Sequence, residues 1–179
     1  MNKYTYAGID YSLTCPAITV GNKKDFAQCK SFFYTNTNKY VGAFGNVYGL
    51  KMQPYESEIE RYDNLSEWAI AILLKFGVRS VIIEGYSMGS KGRVFHIAEN
   101  TGILLYKLWL NGIEFRSVAP TSLKKSFSGK GNSNKEQMVE SFIKQTSIQL
   151  PTKMDCAVGS SPVADVVDSY AAYLENFKS

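Results

Sequence analysis

The chain holds a single histidine, His96, and three cysteines, Cys15, Cys29 and Cys156, among 179 residues. The cysteines form neither a paired framework nor a C-x-x-C step, which excludes a disulfide scaffold and fits reduced thiols. With no cysteine beside the one histidine, a tetrahedral zinc site is poorly served. No segment approaches the roughly 18 continuous apolar residues that mark a membrane span, so no membrane partner is expected. The opening Met1-Asn2-Lys3-Tyr4-Thr5 carries no apolar targeting run, and a cytoplasmic location is the expectation. Repeats and low-complexity tracts are absent as well.

What is present suits a folded domain: 45% hydrophobic and 20% charged residues, with a net charge of +4. That length fits one domain over 1–179, and that charge permits a nucleic-acid partner without requiring one. The apolar periodicity switches between strand-like and helix-like along the chain, as in α/β proteins. Residues 4–9 read as a strand ending at Asp10, 17–20 as its hairpin partner and 28–35 as a third strand. The Gly-, Asn- and Tyr-rich stretch 36–55 reads as a long loop or an extra hairpin. Residues 57–76 form a helix, with Ser57 and Glu60 spaced for a capping box and Gly77 as its stop. The wholly apolar run 81–83 predicts a strand buried on both faces, ending at Glu84. A polar loop over 85–92, a long helix over 93–110 and a strand over 113–118 follow. In that helix Ile97, Leu104, Leu108 and Trp109 exceed one core-facing stripe, which offers a surface for a second copy. A helical turn then leads into a basic loop at 129–131. Ser133 and Glu136 are placed to box the next helix, and Ser161-Pro162 announces the last one. The expected architecture is a central mixed five-stranded sheet, a hairpin plus parallel strands, with helices on both faces.

In the last helix Val163, Val166, Val167, Tyr170, Ala171 and Leu174 make one apolar stripe facing the core. Asp165 and Asp168 fall together on another face, with no basic residue between Lys153 and Lys178 to offset them. A solvated outer face is the plain reading of that pair alone. Asp10 and Glu84 at two strand ends add two more acids, and ligands of open α/β sheets bind at that end. Four carboxylates suit hard divalent cations such as Mg²⁺. Two such ions about 3.5–4 Å apart clamp a phosphodiester undergoing displacement. His96, within a helix, reads as a packed or surface residue.

The basic loop decides between these readings. From Ala119-Pro120 through Leu123-Lys124-Lys125, Phe127 and Gly129-Lys130-Gly131 to Lys135-Glu136-Gln137-Met138, the chain resembles the pattern A-P-x-x-V/L-K-K-x-V/F-x-G-x-G-x-A-x-K-x-Q-V/M of the RuvC Holliday-junction resolvases. Gly8-Ile9-Asp10, Ile82-Ile83-Glu84 and Asp165-Val166-Val167-Asp168 fall in that family's order. Tyr11-Ser12 stand where the family has Pro-Gly, and 36–55 has no counterpart in it. The resemblance implies an RNase H-like fold and a homodimer that nicks four-way DNA junctions with two Mg²⁺ or Mn²⁺ ions per site and no nucleotide cofactor. It further implies that Asp10 and one helix acid bridge the ions, that Glu84 and the other acid complete one ion each, and that Lys130 or Lys135 steadies charge on the phosphate. DNA contacts are expected from Tyr86, as a stacking platform, and from Lys91, Arg93, Lys124, Lys125 and Lys130. The setting would be the cytoplasm of a bacterial or virus-infected cell.

Three other readings remain. A nuclease of the same fold could act on flaps, Y-shaped DNA or RNA:DNA hybrids, which the catalytic residues alone do not separate. An actin-like ATP-binding domain also opens on Gly-Ile-Asp, but needs a second lobe that 179 residues do not supply. A catalytically silent DNA binder has no use for four intact acids.

Overall fold

The structure, a computed structural model, describes residues 4–85 and 94–178. Its elements run β1 (Tyr6–Asp10), β2 (Ala17–Gly21), β3 (Lys30–Thr35), β4 (Gly42–Phe44), β5 (Val47–Lys51), α1 (Glu58–Phe76), β6 (Ser80–Glu84), α2 (Val94–Leu110), β7 (Glu114–Val118), α3 (Pro120–Ser128), α4 (Lys135–Thr146), α5 (Leu150–Met154) and α6 (Val163–Leu174). The strands form one mixed sheet in the order β4-β5-β3-β2-β1-β6-β7. Seven strands replace the expected five, because 36–55 contributes both β4 and β5. β4 is three residues long and β5 is interrupted by Gly49, so their alternation is weak; paired antiparallel, they are the extra hairpin that 36–55 offered as one of its two readings. Gly49 is required: a Cβ there would sit 1.8 Å from the Tyr40 carbonyl oxygen.

The centre of the sheet is set by β1, which pairs antiparallel with β2 and parallel with β6. Val81, Ile82 and Ile83 in β6 are at most 3% exposed, and burying each contributes about 1.5–3 kcal/mol. Alternation sends Ala7, Ile9, Val81 and Ile83 to the face covered by α1 and α2. The opposite face is covered by α6, backed by α3, α4 and α5. Helices thus lie on both faces, as the sequence implies.

The helix ends follow local chemistry with small departures. Ser57 caps α1 by accepting from the Glu60 amide at 3.2 Å, while the Glu60 side chain reaches the Glu56 amide instead of the cap's own. Gly77 closes α1 at φ 69°, in the left-handed region glycine favours. The box on α4 is Asn134 with Gln137, one residue beyond the expected Ser133 and Glu136. The Ser133 hydroxyl instead donates to the Lys130 carbonyl and pairs with Ser128. Pro162 is the residue before α6 rather than its first residue, and no side chain caps that end.

Two expectations about helix faces change. In α2, Leu104 and Leu108 are fully buried against the sheet and Ile97 packs beside them. Of the four residues expected to be surplus only Trp109 is exposed, and it is joined by Phe95, Tyr106 and Leu110, each more than half exposed. In α6 the valine stripe is buried, but so are Ala164, Asp165, Ser169 and Ala172 on the other side. Asp165 therefore sits inside the molecule, and Asp168 beside it is half-buried. Small residues permit this: a Cβ on Gly8 would meet the Tyr173 amide nitrogen at 2.0 Å and the Ser169 carbonyl at 2.3 Å. Thr19 also hydrogen-bonds both Ser31 and Ser169 at 2.8 Å, locking helix to sheet.

Candidate metal centre

Register brings the first two acids together. Ile9 lies opposite Ile83 in the parallel β1–β6 pair, so Asp10 and Glu84 are the next residues of adjacent strands and share a face. That face is the one on which α6 lies. Asp168 descends from α6, and one carboxylate oxygen each from Asp10, Glu84 and Asp168 lies within 4.8 Å of the other two. A single cation with bonds of about 2.0–2.6 Å can bridge such a span.

Asp165 sits one helical turn earlier and is 4% exposed. Its Oδ1 lies 3.5 Å from Lys135 Nζ, while its buried Oδ2 has no hydrogen-bond partner among the described residues. An unpaired buried carboxylate oxygen carries a desolvation penalty of about 1–3 kcal/mol or more. The α4 capping box is what sets Lys135, the first residue of that helix, against Asp165.

The electrostatics agree with the crowding. Burial, then Glu84, Asp165 and Asp168, hold the Asp10 carboxyl well above the usual carboxylate range, against the pull of Lys135. Burial raises Glu84 too, with Lys124 and Lys135 opposing. Asp168 is pushed up to about 7, first by burial and then by Glu84. For Lys135, burial favours the neutral form, but Asp165, Asp10 and Asp168 together outweigh it and the ammonium is held more firmly than usual. Two ammonium groups, Lys135 and the more distant Lys124, do not offset four carboxylates. An all-oxygen donor set in which Asp10, Glu84 and Asp168 hold their protons more tightly than usual, beside an orphaned buried oxygen, fits a hard divalent cation and does not fit zinc.

The remaining expected site residues separate. Lys124, half-buried on α3, is near enough to favour the charged forms of Glu84 and Asp168, drawing their pKa values down. Lys125 and Lys130 are exposed and, among the described residues, make no ion pair with the cluster. Tyr86, Lys91 and Arg93 lie outside the described residues. His96 is on the opposite sheet face, its Nδ1 2.7 Å from the Tyr62 hydroxyl and 3.7 Å from Glu99. One neighbour was missed by reading the sequence. Cys15 is 6% exposed, and its thiol is pushed above the ordinary range by burial and then by Asp165. The signal for it was the tight β1–β2 connection, which returns the chain from Asp10 to Ala17 in register.

No protein-family model matches the chain. It is 30% identical over 129 residues to the crossover junction endodeoxyribonuclease RuvC of Brachyspira hyodysenteriae, covering 69% of this chain and 77% of that protein. Its fold is similar to RuvC of Thermus thermophilus, with a TM-score of 0.58 at 18% identity over 94% of this chain and 90% of that one. Against the same protein in complex with Holliday junction substrate, the TM-score is 0.65 at 16% identity, covering 94% and 89%. An RNase H-like sheet, acids at two central strand ends, a paired-acid helix and this level of identity place the chain in the RuvC family of crossover junction endodeoxyribonucleases.

Proposed function

We propose that the chain, as a single RNase H-like domain, is a divalent-metal-dependent endonuclease that nicks four-way DNA junctions as a homodimer. The observation that carries this reading is the convergence of Asp10, Glu84 and Asp168 within 4.8 Å, with Asp165 buried beside them. Asp10 and a helix acid would bridge two ions, with Glu84 and the other acid completing one each. Mg²⁺ or Mn²⁺ bound there supplies positive charge against the phosphate oxygens and makes water a competent nucleophile at neutral pH. The chain's own groups then position the reaction. Lys135, held charged by three aspartates, stands where charge gathers on the phosphate. Lys124 flanks the site, and exposed Lys125 and Lys130 extend positive charge along the backbone.

The dimer rests on α2. Phe95, Tyr106, Trp109 and Leu110 leave an apolar surface that core packing does not use, with Tyr106 stacked on Trp109 at 6.1 Å. A two-fold dimer matches a two-fold substrate, so that two sites cut symmetrically. Among the described residues no helix is long and apolar enough to cross a membrane. The test is to incubate the protein and Mg²⁺ with labelled four-way junction, flap, Y-shaped, linear duplex and RNA:DNA substrates. Paired nicks in the four-way junction, in preference to the rest, are expected; preference for hybrid or flap would move the protein to another nuclease class of this fold.

A further inference from the structure

The two strands that 36–55 adds to the sheet have no place in the family pattern, and their position relative to the acids gives them a use. Asp10 lies opposite Ala17, Ala17 opposite Phe33 and Phe33 opposite Gly49, one row across four strands on the α6 face. Lys51 is two residues beyond Gly49, on the same face and at the same end of the sheet as Asp10 and Glu84. Three strand spacings of about 4.8 Å and a rise of about 3.3 Å per residue place its Cα roughly 16 Å from that of Asp10. A DNA strand advances about 3.4 Å per nucleotide along the duplex axis, so this is a reach of roughly four to five nucleotides.

The charge of this segment is one-sided. Residues 36–55 contain Lys39 and Lys51 and neither Asp nor Glu. Lys39 is tied to Asp155 at 2.7 Å. Lys51 is different: its Nζ donates to the Asn36 carbonyl at 2.5 Å and to Asn38 Oδ1 at 2.8 Å, both neutral acceptors. Among the described residues no carboxylate pairs with it and the third of its three N–H donors is left over, while its position is fixed. Glu67 of α1 lines a groove at the sheet edge together with Lys51, but Lys107 holds it at 2.5 Å. Asn36, Thr37 and Asn38 are exposed around Lys51 and supply the amide and hydroxyl groups that bind phosphate oxygens.

We propose that the β4–β5 insert is a contact surface for the phosphate backbone of a DNA duplex arm, with Lys51 as its charged contact, an inference that rests on the junction-nuclease reading above. It carries the DNA footprint of the catalytic face out to about three strand spacings from Asp10. Because Lys51 is fixed before DNA arrives, little side-chain freedom remains to be lost on binding.

The experiment measures affinity for a labelled four-way junction against salt concentration, in EDTA, for the parent, Lys51→Ala and Lys51→Arg. Each is also measured on junctions carrying neutral methylphosphonates stepped outward from the cut site. Lys51→Ala is expected to flatten the salt slope by about 0.9, so that a fourfold rise in salt weakens the parent roughly three- to fourfold more than the variant. Lys51→Arg is expected to restore the slope. Neutralising phosphates about four to five nucleotides from the cut is expected to weaken the parent and leave Lys51→Ala unaffected. A parent insensitive to methylphosphonates at those positions overturns the proposal, whatever the variants do. So does a Lys51→Ala protein with the parental slope. A parent that neither binds nor cuts junctions overturns the nuclease reading itself, and this one with it.

Discussion

Replacing Asp168 with Asn is expected to stabilise the metal-free protein at pH 8 by about 2–4 kcal/mol, an inversion of what most buried substitutions do. In the folded chain burial, then Glu84, push this carboxyl from 3.8 to about 7, with Lys135 and Lys124 only partly offsetting them. Each unit is worth about 1.36 kcal/mol, so a rise of about three units sets a ceiling near 4 kcal/mol, which proton sharing with Asp10 and Glu84 lowers. The sign follows from proton binding: the folded state holds the proton more tightly than the unfolded one. The penalty is therefore absent below about pH 4, grows as pH rises toward 7, and is complete above that. Asparagine keeps the shape and removes the charge. For a chain of this size the change corresponds to a rise in Tm of roughly 4–16 °C. Thermal melts in EDTA at pH 4 and pH 8 make the comparison, with parent and variant nearly coincident at the lower pH and well separated at the higher. Saturating Mg²⁺, at about a hundred times its Kd, should then raise the parent by about 2.7 kcal/mol and the variant by less. Coincident melts of parent and variant at pH 8 would show that the four acids are not held in mutual repulsion.

Three other outcomes follow from the same structure. Gly8→Ala is expected to cost about 3 kcal/mol or more, because its Cβ would strike the α6 backbone at 2.0 Å. Gly102→Ala, on α2 with open space around it, should stabilise by about 0.5–1 kcal/mol; thermal melts that rank the two the other way refute the account of α6 packing. Trp109→Asp is expected to yield monomers by light scattering at micromolar concentration, and an unchanged dimer would move the interface off α2. Lys124→Ala or Lys125→Ala should weaken binding across branched substrates and lower the salt slope by about 0.9 per lost contact, measured by titration at several salt concentrations.

Much of this architecture is visible in the sequence because local and global signals agree. The run Val81-Ile82-Ile83 is apolar since both sheet faces are covered, and Gly77 stops α1 since only a left-handed residue closes it cheaply. Asp10 and Glu84 stand out as acids ending apolar strands. What the sequence hid depends on tertiary context. β4 and β5 are short and glycine-broken, so their strand character comes from pairing, β5 with β3 and β4 with β5, rather than from their own pattern. The burial of Asp165 could not be read from α6 alone, because a helix covered on both sides shows the same valine stripe as one covered on a single side. The surplus apolar residues of α2 were visible as a set, but which of them face outward depends on how the helix is rotated against the sheet. Lys124 and Lys130 look alike in the basic loop, and only the path of α3 brings the first to the acids.

The central claim is that the clustered acids hold the ions that cut DNA, and Asp165 tests it most directly, since its Oδ2 is buried with no hydrogen-bond partner among the described residues. The measurement is single-turnover cleavage of a labelled four-way junction by parent and Asp165→Asn proteins, each saturating and with Mg²⁺, alongside their junction affinities in EDTA. Loss of a supporting residue around a metal ligand already costs about 10–100-fold, so loss of a ligand's charge should slow cleavage by roughly a hundredfold or more, with affinity kept or increased. An Asp165→Asn protein that cuts as fast as the parent would contradict the account.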